Sequence, residues 1–506
     1  MQTKKEMLQS WTGPYGGVPP WNAVRPEVFP AAFDDAIAQA KMEIDAIAGS
    51  PEPATFDNTI VPYEQAGQTL ERLTTVFDVH TSNLNVGPMP DIERSVAPKL
   101  AEFGDWVTQN EKLVQRIATI AKSEAVKQLD PVQQRLADHM YKEFVRKGAE
   151  LSTADKKRLA QYNLRLATLF TDFSQNVLED EKNYVTWIEN KEDLSGLPES
   201  ITAAMASAAK QRGKAGQWAI SNTRSSMDPF LTYSSNRPLR EKVWRTFYNR
   251  GDNGDAHDNN GIIAEILSLR AARAKLLGYA THAHWRLEPQ MAKTPDAAMA
   301  LMLKVWPKAV QRVTEEVSAM QAVADKLDPG VKIEPWDYRY YAEKVRKEKY
   351  DLDLNEVKPY LQLEKLREAM MWASEQLYGF QYKQINDLPV FHPDVRVWEV
   401  TDRTGQHVGL WYFDPYAREG KRSGAWMNAY RDQENINRKV TTIVSNNSNF
   451  VKGSPGEPVL ISWDDATTLF HEFGHALHGL NSSVTYPSQS GTSVARDYVE
   501  FPSQLN

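Results

Sequence analysis

The chain has 506 residues, 41% apolar and 25% charged, the proportions of an ordinary globular protein. A formal net charge of -7 argues against a nucleic-acid partner, because there is no excess of cations to neutralise phosphates. With 0 cysteines, no disulfide and no thiolate is available, so any metal must be held by His, Asp and Glu.

In chain order, the start Met1-Gln2-Thr3-Lys4-Lys5-Glu6 is polar and has no apolar h-region. No apolar run is long enough to span a bilayer, so no membrane partner is expected. A cytoplasmic location is expected, or a periplasmic one if a leader was removed. Residues 30–47 are Ala-rich and amphipathic, and Gly49 stops them. Leu136, Met140 and Phe144 recur at helical spacing before Gly148. A long helix should start near Ser152, with Ser152 and Asp155 as its cap and Leu159, Leu166, Phe170 and Phe173 as its buried stripe. Further helical patterns cover 238–248, 260–277, 294–327 and 363–377, with their apolar stripes expected in the core. Strand patterns come late, at 395–400 and 408–413, with Asp402-Arg403-Thr404-Gly405 as the turn of a hairpin. Residues 440–444 and 459–462 would add strands. The expected fold is therefore mainly α, with a small antiparallel sheet close in sequence to the motif described next.

Ser462-Trp463-Asp464-Asp465 reads as a helix start, and the helix continues to Leu480. Within it lies His471-Glu472-Phe473-Gly474-His475. Histidines four apart share one face, so two ring nitrogens can reach one ion. Glu472 stands beside them and is placed to take a proton from water brought to that ion. This is the zinc-hydrolase pattern of two His ligands and a Glu base. A catalytic zinc needs a third protein ligand and an open position. Glu500 is the best candidate, delivered by a second helix crossing the first, but spacing does not choose it over Asp497. Asp497 reads otherwise as a partner orienting a ligand His, or as an ion-pair partner of Arg496. His478, one turn beyond His475, reads as a packing or hydrogen-bonding residue. The strand at 410–413 could pair with a substrate backbone or simply pack on the core.

Phe470-His471-Glu472-Phe473-Gly474-His475-Ala476-Leu477-His478, followed by Arg496-Asp497-Tyr498-Val499-Glu500-Phe501-Pro502-Ser503-Gln504, resembles the M3 family of zinc oligopeptidases. The second stretch is most similar to the family's peptidyl-dipeptidase (dipeptidyl carboxypeptidase) branch. Trp336-Asp337, Tyr341-Ala342-Glu343-Lys344, Tyr350-Asp351-Leu352-Asp353, Pro359-Tyr360-Leu361-Gln362-Leu363 and Gly13-Pro14-Tyr15-Gly16-Gly17-Val18-Pro19-Pro20 extend the likeness over essentially the whole chain.

The resemblance implies His471, His475 and Glu500 as ligands of one Zn2+, and Glu472 as general base. It implies a helical ellipsoid with a deep channel, short unstructured peptides as substrates, release of C-terminal dipeptides, and a monomer. It divides the chain into an N-terminal helical region, 1–225, and a catalytic region, 226–506. An M3 chain continues beyond its third ligand with substrate-binding His and Tyr residues, whereas this sequence stops at Asn506. A longer natural chain or a second chain is therefore expected to supply them, and 1–506 alone is expected to be poorly active. The rival readings are an endo-acting M3 oligopeptidase, a catalytically silent helical binding protein that keeps zinc, and a metal-free helical scaffold.

Overall fold

The computed structural model describes residues 2–351, 354–452 and 456–506. Leu352 and Asp353, part of one stretch of the family resemblance, lie outside the described residues. The helices form where apolar spacing placed them: Phe29–Ala48, Pro131–Arg146, Thr153–Asn183, Arg237–Tyr248, Asn260–Leu276, Pro295–Leu327 and Leu363–Tyr378. Ser152 accepts a hydrogen bond from the amide of Asp155 at 3.2 Å and starts the long helix as its spacing suggested. Among the described residues, no helix is long and apolar enough to cross a membrane.

Two expected stripes turn out differently. On Thr153–Asn183, Leu159, Leu166 and Leu169 are buried, but Phe170 is 38% exposed. Its ring lies under the guanidinium of Arg270, 5.2 Å from the centroid. On Pro295–Leu327, only Met320, Val323 and Ala324 are buried. They meet Tyr341 of helix Tyr338–Tyr350. Met299, Leu301, Met302, Trp306 and Val310 stand exposed, so core packing fails as a reading for the first two-thirds of this helix.

Strands β1 (Thr186–Ile188) and β2 (Trp218–Ile220) form a short antiparallel pair. The larger sheet comprises β3 (Gln381–Ile385), β4 (Arg396–Thr401), β5 (His407–Tyr416), β6 (Trp426–Arg431) and β7 (Thr442–Phe450). Their order is β3-β4-β5-β7-β6. The expected hairpin is β4–β5, and Asp402 accepts the amides of Thr404 and Gln406 to close its turn. Most pairs are antiparallel, but β5 and β7 run parallel, because β6 is the strand that pairs with β7 on its other side. Residues 459–462 make an isolated bridge, Gln362 to Leu460, rather than a strand. β5 has both edges paired, so it has no free edge for a substrate backbone. That overturns the strand-addition reading of 410–413.

Charged networks hold the sheet to the surrounding helices. Asp414 of β5 is 1% exposed and meets Arg418, Lys421 and Asn83. Burial alone would raise its carboxyl, but Arg418 and Lys421 outweigh that and hold it low. Asn83 ends helix Gln68–Asn83, so this contact ties the N-terminal helices to the sheet. The opening glycine-rich stretch is held by Arg431, whose guanidinium donates to the carbonyls of Tyr15 and Gly17 at 2.8 and 2.7 Å. Gly17 adopts φ +89°, and a Cβ there would fall 2.2 Å from the backbone of Trp11. Asp337, from another stretch of the resemblance, is fully buried between Arg237 and Arg240 at 2.7 and 2.8 Å.

Candidate metal centre

The motif helix, Trp463–Leu480, begins with the expected capping box. Ser462 accepts from the Asp465 amide at 3.0 Å, and the Asp465 carboxylate accepts from the Ser462 amide at 3.1 Å. Leu469, Phe473, Ala476 and Leu477 bury its apolar face. Each of the larger side chains contributes roughly 1.5–3 kcal/mol by leaving water. Phe473 meets Trp411 of β5 edge-to-face at 5.2 Å. Asn446 of β7 donates to the carbonyl of Glu472 at 2.5 Å and accepts from the Trp411 indole at 2.7 Å. The sheet thus sets both the position of the helix and its rotation about its own axis.

That rotation leaves His471 and His475 on a common face, their rings perpendicular and 5.0 Å apart. Glu500 opens the short helix Glu500–Leu505 and completes the group. One carboxylate oxygen, Oε2, lies 3.1 Å from Nε2 of His471 and 3.1 Å from Nε2 of His475. The crossing that delivers it depends on Gly474. A Cβ at Gly474 would come within 2.7 Å of Ser503 Cα, a backbone atom that moves only with its helix. Asn506 also donates to the carbonyl of Phe470 at 2.8 Å and clamps the two helices. Ser503 donates to the Glu500 carbonyl at 2.8 Å.

Two imidazole nitrogens and a carboxylate oxygen lie close enough together to hold one metal ion, and this is a donor set that suits zinc. Glu472 is 8% exposed. Burial, then the neighbouring charge of Glu500, push its carboxyl up to about 7. A cation held by the three residues would oppose both effects and favour the carboxylate. Burial lowers His475 against the upward pull of Glu500, and a neutral ring keeps the lone pair that a metal needs.

The other sequence candidates fall elsewhere. Asp497 accepts the amides of Met291 and Ala292 at 3.0 and 2.9 Å, so it caps a neighbouring loop and neither orients a ligand His nor pairs with Arg496. His478 stands outside the group. Asn446 and Gly474 escaped the sequence reading as positioning residues, because their partners are distant in sequence and leave no local signal.

A cavity of about 1270 Å³ opens beside the N-terminal turn of the motif helix. Lys182, Met205, Arg418, Ile461, Ser462 and Asp465 are among its walls. His471, His475 and Glu500 are not among its walls, and His471 lies six residues past Asp465, about 9 Å along the helix.

Two histidines and a glutamate around a shared point, with a buried glutamate beside them on the same helix, are the arrangement of a metallopeptidase. Residues 230–506 match peptidase family M3. Dipeptidyl carboxypeptidase of Escherichia coli (strain K12) is 38% identical over 507 residues, which cover 100% of this chain and 74% of that protein. Oligopeptidase A of Salmonella typhimurium is 30% identical over 96% of this chain and 73% of its own length. Saccharolysin of Saccharomyces cerevisiae is 26% identical over 73% of this chain and 53% of its own length. The chain belongs to peptidase family M3 and is a metallopeptidase.

Proposed function

We propose that His471, His475 and Glu500 hold one catalytic Zn2+, and that the protein hydrolyses short peptides, releasing dipeptides from their free carboxyl ends. One observation carries the metal assignment: both imidazole Nε2 atoms stand 3.1 Å from the same Glu500 oxygen. The dipeptide-releasing specificity is supported by the 38% identity to a dipeptidyl carboxypeptidase, against 30% for an oligopeptidase A.

When bound, zinc supplies Lewis-acid polarisation of water and of the scissile carbonyl. Glu472 takes the proton from the attacking water and passes it to the leaving amine. Its place suits this task, since it stands beside His471 on the motif helix and, with a cation held there, is a carboxylate ready to accept the proton. The Asn446 bond to the Glu472 carbonyl keeps the backbone at this point from shifting.

A matched pair of peptides, one with a free and one with an amidated carboxyl end, tests the specificity. Release of dipeptides from the free form alone is expected. Internal cleavage of the amidated form would favour an endo-acting oligopeptidase instead. Chelation should abolish activity and added Zn2+ restore it. Activity that survives exhaustive chelation would refute the metal assignment.

A further inference from the structure

We propose a second divalent-cation site, formed by Asp180, Asp255 and His257, where the end of helix Thr153–Asn183 meets the loop at 249–259. Asp180 is fully buried in the last turn of that helix. Its Oδ2 accepts the amide of Gly251 at 2.7 Å and the side-chain amide of Asn253 at 2.8 Å. Its Oδ1 is equally buried and has no hydrogen-bond partner. A bare carboxylate oxygen away from water is costly unless a cation or a proton meets it. No basic side chain among the described residues does so: Arg250, the nearest in sequence on the loop side, is engaged by Glu181.

The loop brings two further donors to Asp180. One oxygen of Asp180, one of Asp255 and one ring nitrogen of His257 all lie within 4.8 Å of one another. Small inward movements would bring each to roughly 2.0–2.3 Å from a single ion. The Asp255 carboxylate is already oriented by the Tyr184 hydroxyl at 2.7 Å and by the amide of His257 at 2.8 Å. Neither ring nitrogen of His257 makes a hydrogen bond among the described residues, so one is free to bind. Asp255 is exposed and His257 half-buried, which leaves an entry path from solvent.

The donor set names the ion class. Two carboxylates and one imidazole suit Zn2+ or Mn2+, whereas Ca2+ and Mg2+ prefer oxygen alone. The site stands apart from the His471 group, on a different helix and loop. Glu181 and Lys182, the residues that follow Asp180, line the large cavity. An ion here would pin that wall to the loop leading into helix Asn260–Leu276.

The whole 506-residue chain, dialysed against Zn2+ or Mn2+ and then assayed for bound metal, tests this. Wild type should hold two equivalents and Asp255→Ala/His257→Ala one. His471→Ala/His475→Ala should keep one equivalent, show a higher thermal midpoint with metal than without, and bind Ca2+ at least tenfold more weakly. Adding Asp255→Ala and His257→Ala to it should remove both the equivalent and the thermal shift. Should His471→Ala/His475→Ala fail to fold by circular dichroism, the comparison in the wild-type background decides, because Asp255 and His257 lie at the surface. Wild-type stoichiometry unchanged by Asp255→Ala/His257→Ala would overturn the site. If instead the catalytic assignment were wrong, wild type would hold one equivalent, and that equivalent would still be lost with Asp255 and His257.

Discussion

His471 and His475 stand on an 18-residue helix whose other face is buried against the mixed sheet, whereas Glu500 stands on a six-residue helix and is 56% exposed. The first pair is set by many apolar contacts and by the Asn446 bond. The third donor is set by one close backbone approach at Gly474 and a few hydrogen bonds. Elements held by few buried contacts open locally at lower free energy. A metal bound by both halves therefore has most to add to the weaker one, since binding and local order are linked. Substitutions in the two halves should therefore differ in what they disturb: metal binding in the weaker one, the fold in the stronger.

Glu472→Gln changes neither half's ligands, so bound zinc should be retained while turnover of a free-carboxyl peptide falls by about 10²–10⁴. A rate within tenfold of wild type would remove Glu472 from the mechanism. Glu500→Ala strips the weaker half of its donor. Zinc affinity, measured by chelator competition, should drop by about 100-fold or more, with little change in the metal-free thermal midpoint because the side chain is exposed. An unchanged affinity would show that the two histidines bind without Glu500.

Gly474→Ala tests the crossing itself. Alanine favours an isolated helix by about 1 kcal/mol over glycine, yet its Cβ would press on Ser503. Zinc binding should weaken by about tenfold while circular dichroism reports an intact helix. Equal affinity in the variant would mean that the close approach does not place Glu500. Asn446→Ala attacks the stronger half, removing a buried donor and acceptor between sheet and helix. Stability to denaturant should fall by about 1–3 kcal/mol. A loss under about 0.5 kcal/mol would mean that apolar packing alone orients the motif helix.

The smallest effect concerns the link between the halves. Gln433 receives and donates bonds along residues 482–490, and Asp432 beside it is pushed up to about 6 by burial and then by Glu71. The folded state thus binds this proton more tightly than the unfolded chain does. Stability is lost as pH rises from about 4 through about 6 and stays lower above that. Asp432→Asn should match wild type near pH 4 and exceed it at pH 8 by about 1 kcal/mol, less than the roughly 3 kcal/mol of the full shift because the carboxyl is partly exposed and screened, as read from thermal midpoints. Equal midpoints at pH 8 would show that the charge is well solvated.

The sequence by itself determined the local features. The capping box at Ser462 and Asp465, the four-residue spacing of His471 and His475, the β4–β5 hairpin and most helix limits each depend on neighbours within one turn or one strand pair. Side-chain direction there follows from backbone period alone. Family resemblance singled out Glu500, which spacing had left level with Asp497. Only the tertiary structure sent Asp497 to the amides of Met291 and Ala292 and brought Glu500 to the two histidines. It also decided that β7 lies parallel to β5, that Asn446 grips the motif helix, and that the Met299–Val310 face stays exposed. Amphipathic spacing says that a helix has an apolar face, but not which element covers it. The position of a third donor depends on how closely two helices approach, and here that distance is set by one missing Cβ at Gly474.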